Sequence, residues 1–360
     1  MHIVSFQARD FRNLETVELS PCEGVNVVFG ENGQGKTNLL EGIWLFTGCR
    51  SFRGADTGEM VMEGKARAVL DVRFASHGRE QSARLDLEQR RALQLGGFAQ
   101  ETPRRMLGVF PAVAFTPGTL ALVQGGPGER RRFLDVALSM LTPAYAVRLS
   151  KYLKALAQRN ALLRQADPSQ ELLDTWDAAL AVEAAGICAA RLRYMKQLFP
   201  RAGEFYAGIS GGREALGLDY KLSGVEEPTE EAYTQALNRA RKSELRRQMT
   251  TLGPHRDDLA LTLDGRPSRE FGSQGQQRTA ALALKLAEAA VLFEATQERP
   301  VALLDDVLSE LDARRQADLL RYLEGWQVFL TCCEPSHTLH GRAGKVFHVE
   351  HGRAACGGAA

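Results

Sequence analysis

The sequence predicts an α/β fold that is assembled from the two ends of the chain, with a mainly helical lobe inserted between them. Apolar, β-branched runs alternate with helical patterns in residues 1–110 and again in residues 250–352. Between them, residues 111–249 are rich in Leu, Ala, Arg and Lys at helical spacing. The small residues that end the sequence, 353–360, are expected to form a disordered tail.

Composition limits the class of protein. The 360 residues suffice for one composite domain or two lobes, and 44% hydrophobic residues can fill a sizeable core. The formal net charge is only +1, so any basic surface has to be local. The 6 cysteines include no C-x-x-C pair, which indicates reduced thiols. No signal-peptide pattern and no long apolar run occurs, so we expect a cytoplasmic protein with no membrane association.

The first 110 residues predict strands around one helix. Alternation or β-branched runs indicate the strands, and apolar residues at helical spacing indicate the helix. In chain order, the segments are the strand HIVSFQARDF, the strand GVNVVFG, the helix TNLLEGIWLF, and the antiparallel strands AVLDVRFAS and SARLDLEQ.

The middle of the chain predicts a helical hairpin or arm with a turn around residues 167–169. It also contains the strand-like LGLDYKLSG and the basic helix EEAYTQALNRARKSELRRQ. The α/β pattern returns at Thr250. The segments there are the strand DDLALTLDG, a long helix from about Gln276, the strand VALLDDV, the helix DARRQADLLRYLEG, and the strands QVFLTCCE and KVFHVEHG.

A glycine-rich loop lies between a predicted strand and a predicted helix, and it matches the pattern G-x-x-x-x-G-K-[ST]. Such a loop wraps a diphosphate so closely that a Cβ atom would collide with it, and its N–H groups supply donors. We expect Lys36 to reach the β- and γ-phosphates and Thr37 to offer its hydroxyl to Mg²⁺. The alternative is a chance glycine turn. The candidate nucleotide-binding residues are Gly30, Glu31, Asn32, Gly33, Gln34, Gly35, Lys36, Thr37 and Asn38.

Two adjacent carboxylates end a buried strand in VALLDD. Carboxylates in this position are costly unless they meet a metal ion or water. We expect Asp305 to orient Mg²⁺ and Asp306 to polarise the attacking water, with Asp306 and Lys36 as the catalytic residues. The alternative is that both carboxylates cap a following helix or turn.

A second anion-binding pattern precedes the long helix near residue 276. The turn Gly272-Ser273-Gln274-Gly275-Gln276 offers a hydroxyl and backbone N–H groups at a helix N-terminus. Its candidate phosphate-binding residues are Ser273, Gly275 and Gln276. The alternative is an ordinary helix cap.

Further short motifs lie along the chain, and in order the full set is FRNL, GENGQGKTNLLE, SFR, RRRFLD, QRN, GPHRDDL, SQGQQRT and LLDDVLSELD. The order of the nucleotide-binding motifs resembles the ATP-binding-cassette ATPases, and the full set resembles the RecF family of bacterial recombinational-repair proteins in particular. The resemblance spans nearly the whole chain, although Gly118 and Thr119 stand where the family usually has an acidic pair. We assign no catalytic role to His337, because the family commonly lacks a histidine there.

The resemblance implies an ABC-type ATPase head that binds ATP and Mg²⁺. In that superfamily the signature turn of one subunit closes on the γ-phosphate held by the phosphate loop of the other, which implies an ATP-dependent homodimer. It also implies that Arg12 lies near the nucleotide. The expected role is at single-strand gaps and duplex junctions, acting with RecR and RecO to help load RecA, with slow, DNA-dependent hydrolysis for release.

Basic clusters at helical spacing predict contacts to the phosphates of duplex DNA, without sequence specificity. The alternative for each cluster is a solvated helix face. The candidates are Arg130, Arg131, Arg148, Lys151, Lys154, Arg241 and Lys242.

Two other functions fit parts of the pattern. A transporter motor subunit would share the nucleotide motifs but would need a short segment for a membrane partner. A nucleotide-gated scaffold would bind ATP and DNA with negligible hydrolysis. Asp306 is consistent with such a scaffold, because many cassette ATPases have glutamate at this position.

Overall fold

The computed structural model describes residues 1–333 and 343–357 and confirms the α/β class. The strands are β1 (His2–Phe11), β2 (Leu14–Leu19), β3 (Val25–Phe29), β4 (Ala68–Ser76), β5 (Arg79–Leu87), β6 (Arg91–Leu95), β7 (Phe98–Gln100), β8 (Ala112–Phe115), β9 (Leu216–Lys221), β10 (Asp258–Leu263), β11 (Arg266–Pro267), β12 (Val301–Asp305), β13 (Val328–Cys332), β14 (Ala343–Glu350) and β15 (Arg353–Gly357). The helices are α1 (Lys36–Trp44), α2 (Ala121–Gln124), α3 (Pro127–Leu141), α4 (Pro143–Leu163), α5 (Gln170–Ser210), α6 (Glu230–Arg247), α7 (Ser268–Phe271), α8 (Gln274–Thr296) and α9 (Ala313–Tyr322).

The chain forms two compact units. The first comprises Met1–Thr119 with Leu284–Ala360, and the second comprises Leu120–Ala283. The predicted boundary at residue 250 differs from this division, which falls inside α8. The reason is strand pairing: β10 forms its ladder with β9 and β11, so residues from 250 to the start of α8 belong to the second unit.

The first unit is built on a 12-stranded sheet in the order β7-β6-β5-β4-β1-β2-β15-β14-β3-β13-β12-β8. Strands β14, β3, β13, β12 and β8 run parallel to their neighbours in that series. Their carboxyl ends therefore lie at one edge of the sheet, where open α/β sheets bind ligands. In the other half, the series β7-β6-β5-β4-β1-β2 is antiparallel and includes the β4–β5 pair that the sequence predicted, whereas β15 pairs parallel with β2.

The predicted disordered tail is wrong for residues 353–357, which form β15. This strand pairs antiparallel with β14, from Val346 opposite Gly357 to Glu350 opposite Arg353. A turn at His351 and Gly352, both with positive φ, returns the chain for this pairing. The ladder uses backbone groups, so its small side chains do not prevent it. Residues 358–360 lie outside the described part of the chain.

The second unit contains the predicted helical arm. Arg148 pairs with Glu183 and Arg159 with Asp177, so the partners converge toward the connecting turn and α4 lies antiparallel to α5. Helix α5 has 41 residues. At 1.5 Å per residue this corresponds to roughly 60 Å. Among the described residues, no helix is long and apolar enough to cross a membrane.

Candidate active site

The phosphate loop connects β3 to α1, as the sequence predicted. Gly30, Gly33 and Gly35 all have positive φ, of 151°, 82° and 118°. A Cβ on Gly30 would lie 2.2 Å from the carbonyl oxygen of Val349, and one on Gly35 would lie 2.5 Å from Leu14 Cδ2. A Cβ on Gly33 would meet no heavy atom within 4 Å. The loop therefore packs tightly on the protein at its two ends and leaves its centre open to a ligand.

The start of α1 has the chemistry of an anion site. Its N-cap residue, Gly35, has no side chain that could cap the first N–H groups of the helix. Lys36 is buried, and its Nζ donates to the carbonyl oxygens of Gly30 at 2.5 Å and Glu31 at 2.9 Å. These bonds use two of the three ammonium protons. Open N–H donors and a positioned lysine together fit a phosphate group.

Thr37 is joined to the acidic strand end. Its Oγ1 donates to Oδ1 of Asp305 at 2.8 Å. Thr331, which lies opposite Asp305 on β13, places its own Oγ1 3.0 Å from the same oxygen. Burial raises the pKa of Asp305 above its ordinary value, and the two threonine hydroxyls partly oppose this. The structure thus brings together the two residues that the sequence predicted to serve a metal ion.

Asp306 follows in a left-handed backbone conformation, with φ of 51°. Its N–H donates to Thr331 Oγ1 at 2.8 Å. Its half-buried carboxylate makes no hydrogen bond to any residue within 1–333 or 343–357, so it is open to water or a ligand. The prediction about His337 lies outside the described residues.

The residues present fit Mg²⁺ held largely by substrate. Within the described chain, no group of three or more His, Cys, Asp or Glu side chains could hold a metal ion. Mg²⁺ is commonly held by one or two protein ligands together with phosphate oxygens and water. The Thr37 hydroxyl and the Asp305 carboxylate provide a protein contribution of that size.

The motif FRNL contains a residue of the candidate site that was not predicted from the sequence. Asn13 donates through Nδ2 to the carbonyl oxygen of Gly33 at 2.7 Å, at the open centre of the loop. Asn38 Nδ2 donates to Asn13 Oδ1 at 2.7 Å, and Arg53 donates to Asn38 at 2.8 Å. Asn38, predicted to bind nucleotide, therefore acts in this structure as a link that holds the loop.

Arg12 lies beside this relay but is occupied by protein partners. It donates through Nε and Nη2 to both carboxylate oxygens of Glu41, at 3.0 and 3.1 Å. Its Nη1 donates to the carbonyl oxygen of Glu59 at 2.8 Å. Glu41 is fully buried and also accepts from Ser51 Oγ. A direct contact between Arg12 and a nucleotide would have to replace or share these bonds.

Two chain segments from the C-terminal part also touch the loop. The N–H of His351 donates to Gln34 Oε1 at 2.7 Å. The thiol of Cys333 donates to Asn32 Oδ1 at 3.2 Å. Neither contact could be read from the sequence, because both depend on β13 and β14 lying beside β3.

The Ser273 turn is an exposed helix start in the second unit. Ser273 Oγ accepts from the N–H of Gln276 at 3.3 Å, and Gln276 Oε1 accepts from the N–H of Ser273 at 2.6 Å. This reciprocal arrangement is a capping box. The helix-cap interpretation thus describes the chain as it stands, and a phosphate at Ser273 would replace the Gln276 side chain. Gly275 lies in the first turn of α8.

The basic residues separate into buried and exposed groups. Arg130 is buried and bonds Asp258 through Nε at 2.8 Å, so the expectation that it is free to contact DNA does not hold. Three further arginines are occupied by protein partners: Arg131 by the carbonyl of Asp257, Arg148 by Glu183, and Arg241 by Asp174 and Asp177. The exposed members of the set are Lys151, Lys154 and Lys242.

Other motifs that support the family resemblance form buried polar contacts in the second unit. Arg159, from QRN, donates to Glu244 at 2.6 Å. Arg191 joins Asp135, from RRRFLD, at 2.7 Å and the carbonyl of Pro254, from GPHRDDL, at 2.8 Å. Removing one partner of such a pair leaves a buried charge uncompensated. These sequence motifs therefore stabilise the second unit.

Comparisons with known proteins agree with this geometry. A family model described as an AAA domain matches residues 2–105. The chain is 37% identical over 362 residues to the DNA replication and repair protein RecF of Agathobacter rectalis, with 98% of each chain covered. It is 39% identical over 372 residues to the same protein of Heliobacterium modesticaldum, again with 98% of each covered.

Solved structures give the same result. A structure described as the recombination mediator protein RecF-ATPrS in the RecFOR pathway superposes with a TM-score of 0.91 at 35% identity, covering 99% of this chain and 98% of that one. The Smc head domain of Pyrococcus furiosus, at 16% identity and a TM-score of 0.57, is similar in fold alone. Identity above 35% over nearly the full length of two curated relatives is decisive. The chain belongs to the RecF family.

Proposed function

We propose that this chain is an ATP-dependent DNA-binding protein of recombinational repair and replication restart, with weak, DNA-dependent ATPase activity. The observation that supports this most directly is the convergence of the phosphate loop, Thr37, Asp305 and Asp306 at one edge of a parallel sheet. The names of the relatives point to DNA replication and repair, and one similar structure is described with a nucleotide analogue.

Each residue of the site has a proposed task. The loop N–H groups and Lys36 bind the β- and γ-phosphates, and Thr37 and Asp305 hold Mg²⁺, which neutralises phosphate charge. Asp306 accepts a hydrogen bond from the attacking water and orients it in line with the γ-phosphorus. Positioning and electrostatics supply most of the rate enhancement in such reactions, so hydrolysis depends on how firmly these groups are held.

We further propose that ATP joins two copies of the chain. The exposed Ser273 turn of one copy would contact the γ-phosphate held by the loop of the other. The capping box supports a ligand-dependent role, because phosphate oxygens can replace Gln276 Oε1 as the acceptor for the N–H of Ser273. In a homodimer the exchange is mutual, so two complete sites form together.

The dimer would assemble on duplex DNA near single-strand gaps and junctions. There it would act with RecR and RecO to help load RecA, and slow hydrolysis would release it. Exposed lysines on α4 and α6 support contacts to the DNA backbone, which are insensitive to sequence.

Sedimentation velocity with and without ATP–Mg²⁺ tests this proposal. We expect the wild-type chain to shift from monomer to dimer with nucleotide, and Lys36→Met and Ser273→Arg to remain monomeric. Lys36→Met should lose ATP binding, whereas Ser273→Arg should retain it, because its loop is intact.

Ser169→Arg is a matched control. Ser169 is an exposed serine that caps α5 in the same unit, where its side chain accepts from the N–H of Leu172. This variant should dimerise like the wild-type chain. If Ser273→Arg dimerises normally, the turn acts only as a helix cap and does not contact the nucleotide. If the wild-type chain does not dimerise with ATP, the proposed dimer is wrong.

A further inference from the structure

The carboxylates at the end of β12 depend on one side chain of the neighbouring strand. Thr331 lies directly opposite Asp305 in the parallel ladder between β12 and β13. Its side chain is almost fully buried, with 1% exposed. Its hydroxyl is 3.0 Å from Asp305 Oδ1 and 2.8 Å from the backbone nitrogen of Asp306. One hydroxyl group therefore touches both acidic residues.

The direction of these hydrogen bonds follows from the donor count. A hydroxyl has one proton to give and can accept at its lone pairs. The N–H of Asp306 can only donate, so Thr331 Oγ1 accepts from it. The hydroxyl proton then points to Asp305 Oδ1, because the other acceptor in reach, the carbonyl oxygen of Leu304, is at 3.5 Å. The result is a directed chain from Asp306 through Thr331 to Asp305.

The backbone at Asp306 needs such support. Its φ of 51° is uncommon for a residue with a side chain, and this residue carries the carboxylate that is proposed to orient water. Asp305 Oδ1 is held from two sides, by Thr37 of the phosphate loop and by Thr331. The hydrogen bonds of Thr331 go to Leu304, Asp305 and Asp306, and among the described residues none goes to the phosphate loop.

We propose that Thr331 is a positioning residue for the candidate hydrolytic site, because its hydroxyl fixes Asp305 and the backbone of Asp306 relative to each other. This inference rests on the proposed function. Loss of the hydroxyl would let the water-orienting carboxylate and the metal-side carboxylate move independently. Nucleotide binding by the loop would remain.

The test compares Thr331→Val, which keeps the shape and removes the hydroxyl, with Thr331→Ser, which keeps the hydroxyl. We expect kcat for ATP hydrolysis to fall about 10- to 100-fold in Thr331→Val, since small displacements of reacting groups cost this much. KM for ATP should change by less than about 3-fold, because the lost contact acts on positioning and not on binding. Thr331→Ser should restore most of the rate.

Thr47→Val is a matched control for loss of a buried hydroxyl. Thr47 is fully buried in the same unit, donates to the carbonyl of Trp44 at 2.8 Å and accepts from the N–H of Cys49 at 3.2 Å. The Thr47→Val variant should be less stable than the wild-type chain but should have the same kcat. A second readout is the Mg²⁺ concentration that gives half-maximal binding of a fluorescent ATP analogue, which should rise in Thr331→Val alone.

The outcomes separate the two proposals. If the wild-type chain fails to bind ATP, the proposed function itself fails. If it binds ATP, the positioning role is refuted when Thr331→Val matches the wild-type chain in both kcat and Mg²⁺ requirement. Equal losses of kcat in Thr331→Val and Thr47→Val would also refute the positioning role, because both losses would then reflect only reduced stability of the fold. If the wild-type chain hydrolyses no ATP, the Mg²⁺ requirement alone decides.

Discussion

The hydroxyl of Thr37 donates to Asp305 at 2.8 Å, although 268 positions separate the two residues in the sequence. The bond exists because β3, β13 and β12 are adjacent and parallel, which places the start of α1 beside the end of β12. The first unit therefore builds its candidate site from both ends of the chain. Neither end contains a complete site by itself.

Asp305→Asn is expected to separate nucleotide binding from Mg²⁺ binding. Asparagine keeps an oxygen that accepts from Thr37 and loses the charge that attracts the cation. Affinity for ATP in EDTA should stay the same, whereas the gain in affinity on adding Mg²⁺ should fall by about 10-fold or more. A titration with a fluorescent ATP analogue measures both. The control is Asp312→Asn, at an exposed aspartate that caps α9; an undiminished Mg²⁺ gain in Asp305→Asn would remove Asp305 from the metal site.

Asp306→Asn tests which of two functions the site performs. If Asp306 orients the attacking water, kcat should fall by about 10²- to 10⁴-fold while ATP still produces dimers. Single-turnover hydrolysis and sedimentation on the same samples measure both effects. Unchanged turnover would instead favour the nucleotide-gated scaffold, in which ATP binding alone controls assembly.

The sequence predicts the elements that carry the candidate site better than it predicts the shortest strands of the sheet. The segments of β1, β3, β4 and β5 and the helix α1 can be read from periodicity, because each has a buried face or a buried run. Strands β7 and β8, at the two edges of the sheet, have 3 and 4 residues, too few for a periodic signal. Strand β15, between β2 and β14, has the sequence RAACG, which contains no pattern of large apolar residues. They form because neighbouring strands offer backbone partners.

Contacts between distant residues explain the other differences. The words FRNL and SFR are visible in the sequence, but the bond from Asn13 to the loop at Gly33 requires the folded sheet. The arginine run 130–132 is also visible, but three consecutive helix positions face different directions. Arg130 faces inward to Asp258, which only the packing of the second unit determines.

Cys333 should report nucleotide binding. Its thiol is exposed and contacts Asn32 in the phosphate loop. We expect ATP–Mg²⁺ to slow its reaction with iodoacetamide by about 10-fold if the bound state is saturated and blocks access. Cys356 is exposed on β15 and serves as an internal control whose labelling should not change. Cys49 should label slowly in all states, because burial raises its pKa to about 11. Mass spectrometry quantifies each site, and equal rates at Cys333 with and without nucleotide would contradict the prediction.

The three exposed lysines Lys151, Lys154 and Lys242 are expected to contribute to DNA affinity. Replacing all three with glutamine should weaken binding to duplexes of any sequence. The slope of log affinity against log salt should fall by about one for each phosphate contact that is lost. Fluorescence anisotropy at several salt concentrations measures this. Lys196→Gln, at an exposed lysine on α5, is the control for a general change in charge. A triple variant with the wild-type slope would show that these three lysines do not contact DNA phosphates.

His255 is expected to make the second unit sensitive to acid. The carbonyl of Thr250, 3.2 Å from Nε2, can only accept, so Nε2 bears the proton and Nδ1 accepts from Tyr152 OH at 2.6 Å. The ring is thus neutral in the folded chain. Burial, with a smaller contribution from Arg256 and Arg131, lowers the pKa of His255 from 6.5 to about 4.

Between these two values the unfolded chain binds a proton that the folded chain does not, so the free energy of unfolding falls as pH falls from 6.5 toward 4. The contribution is complete above pH 6.5 and is lost at no more than about 1.4 kcal/mol per pH unit within this window. His255→Asn should reduce stability at neutral pH and flatten the difference between urea denaturation at neutral and mildly acidic pH. His77→Asn, at an exposed histidine of the first unit, should keep that difference. If the free energy of unfolding depends on pH in His255→Asn as it does in the wild-type chain, other titratable groups cause that dependence. The neutral imidazole between Tyr152 and Thr250 would then not be its source.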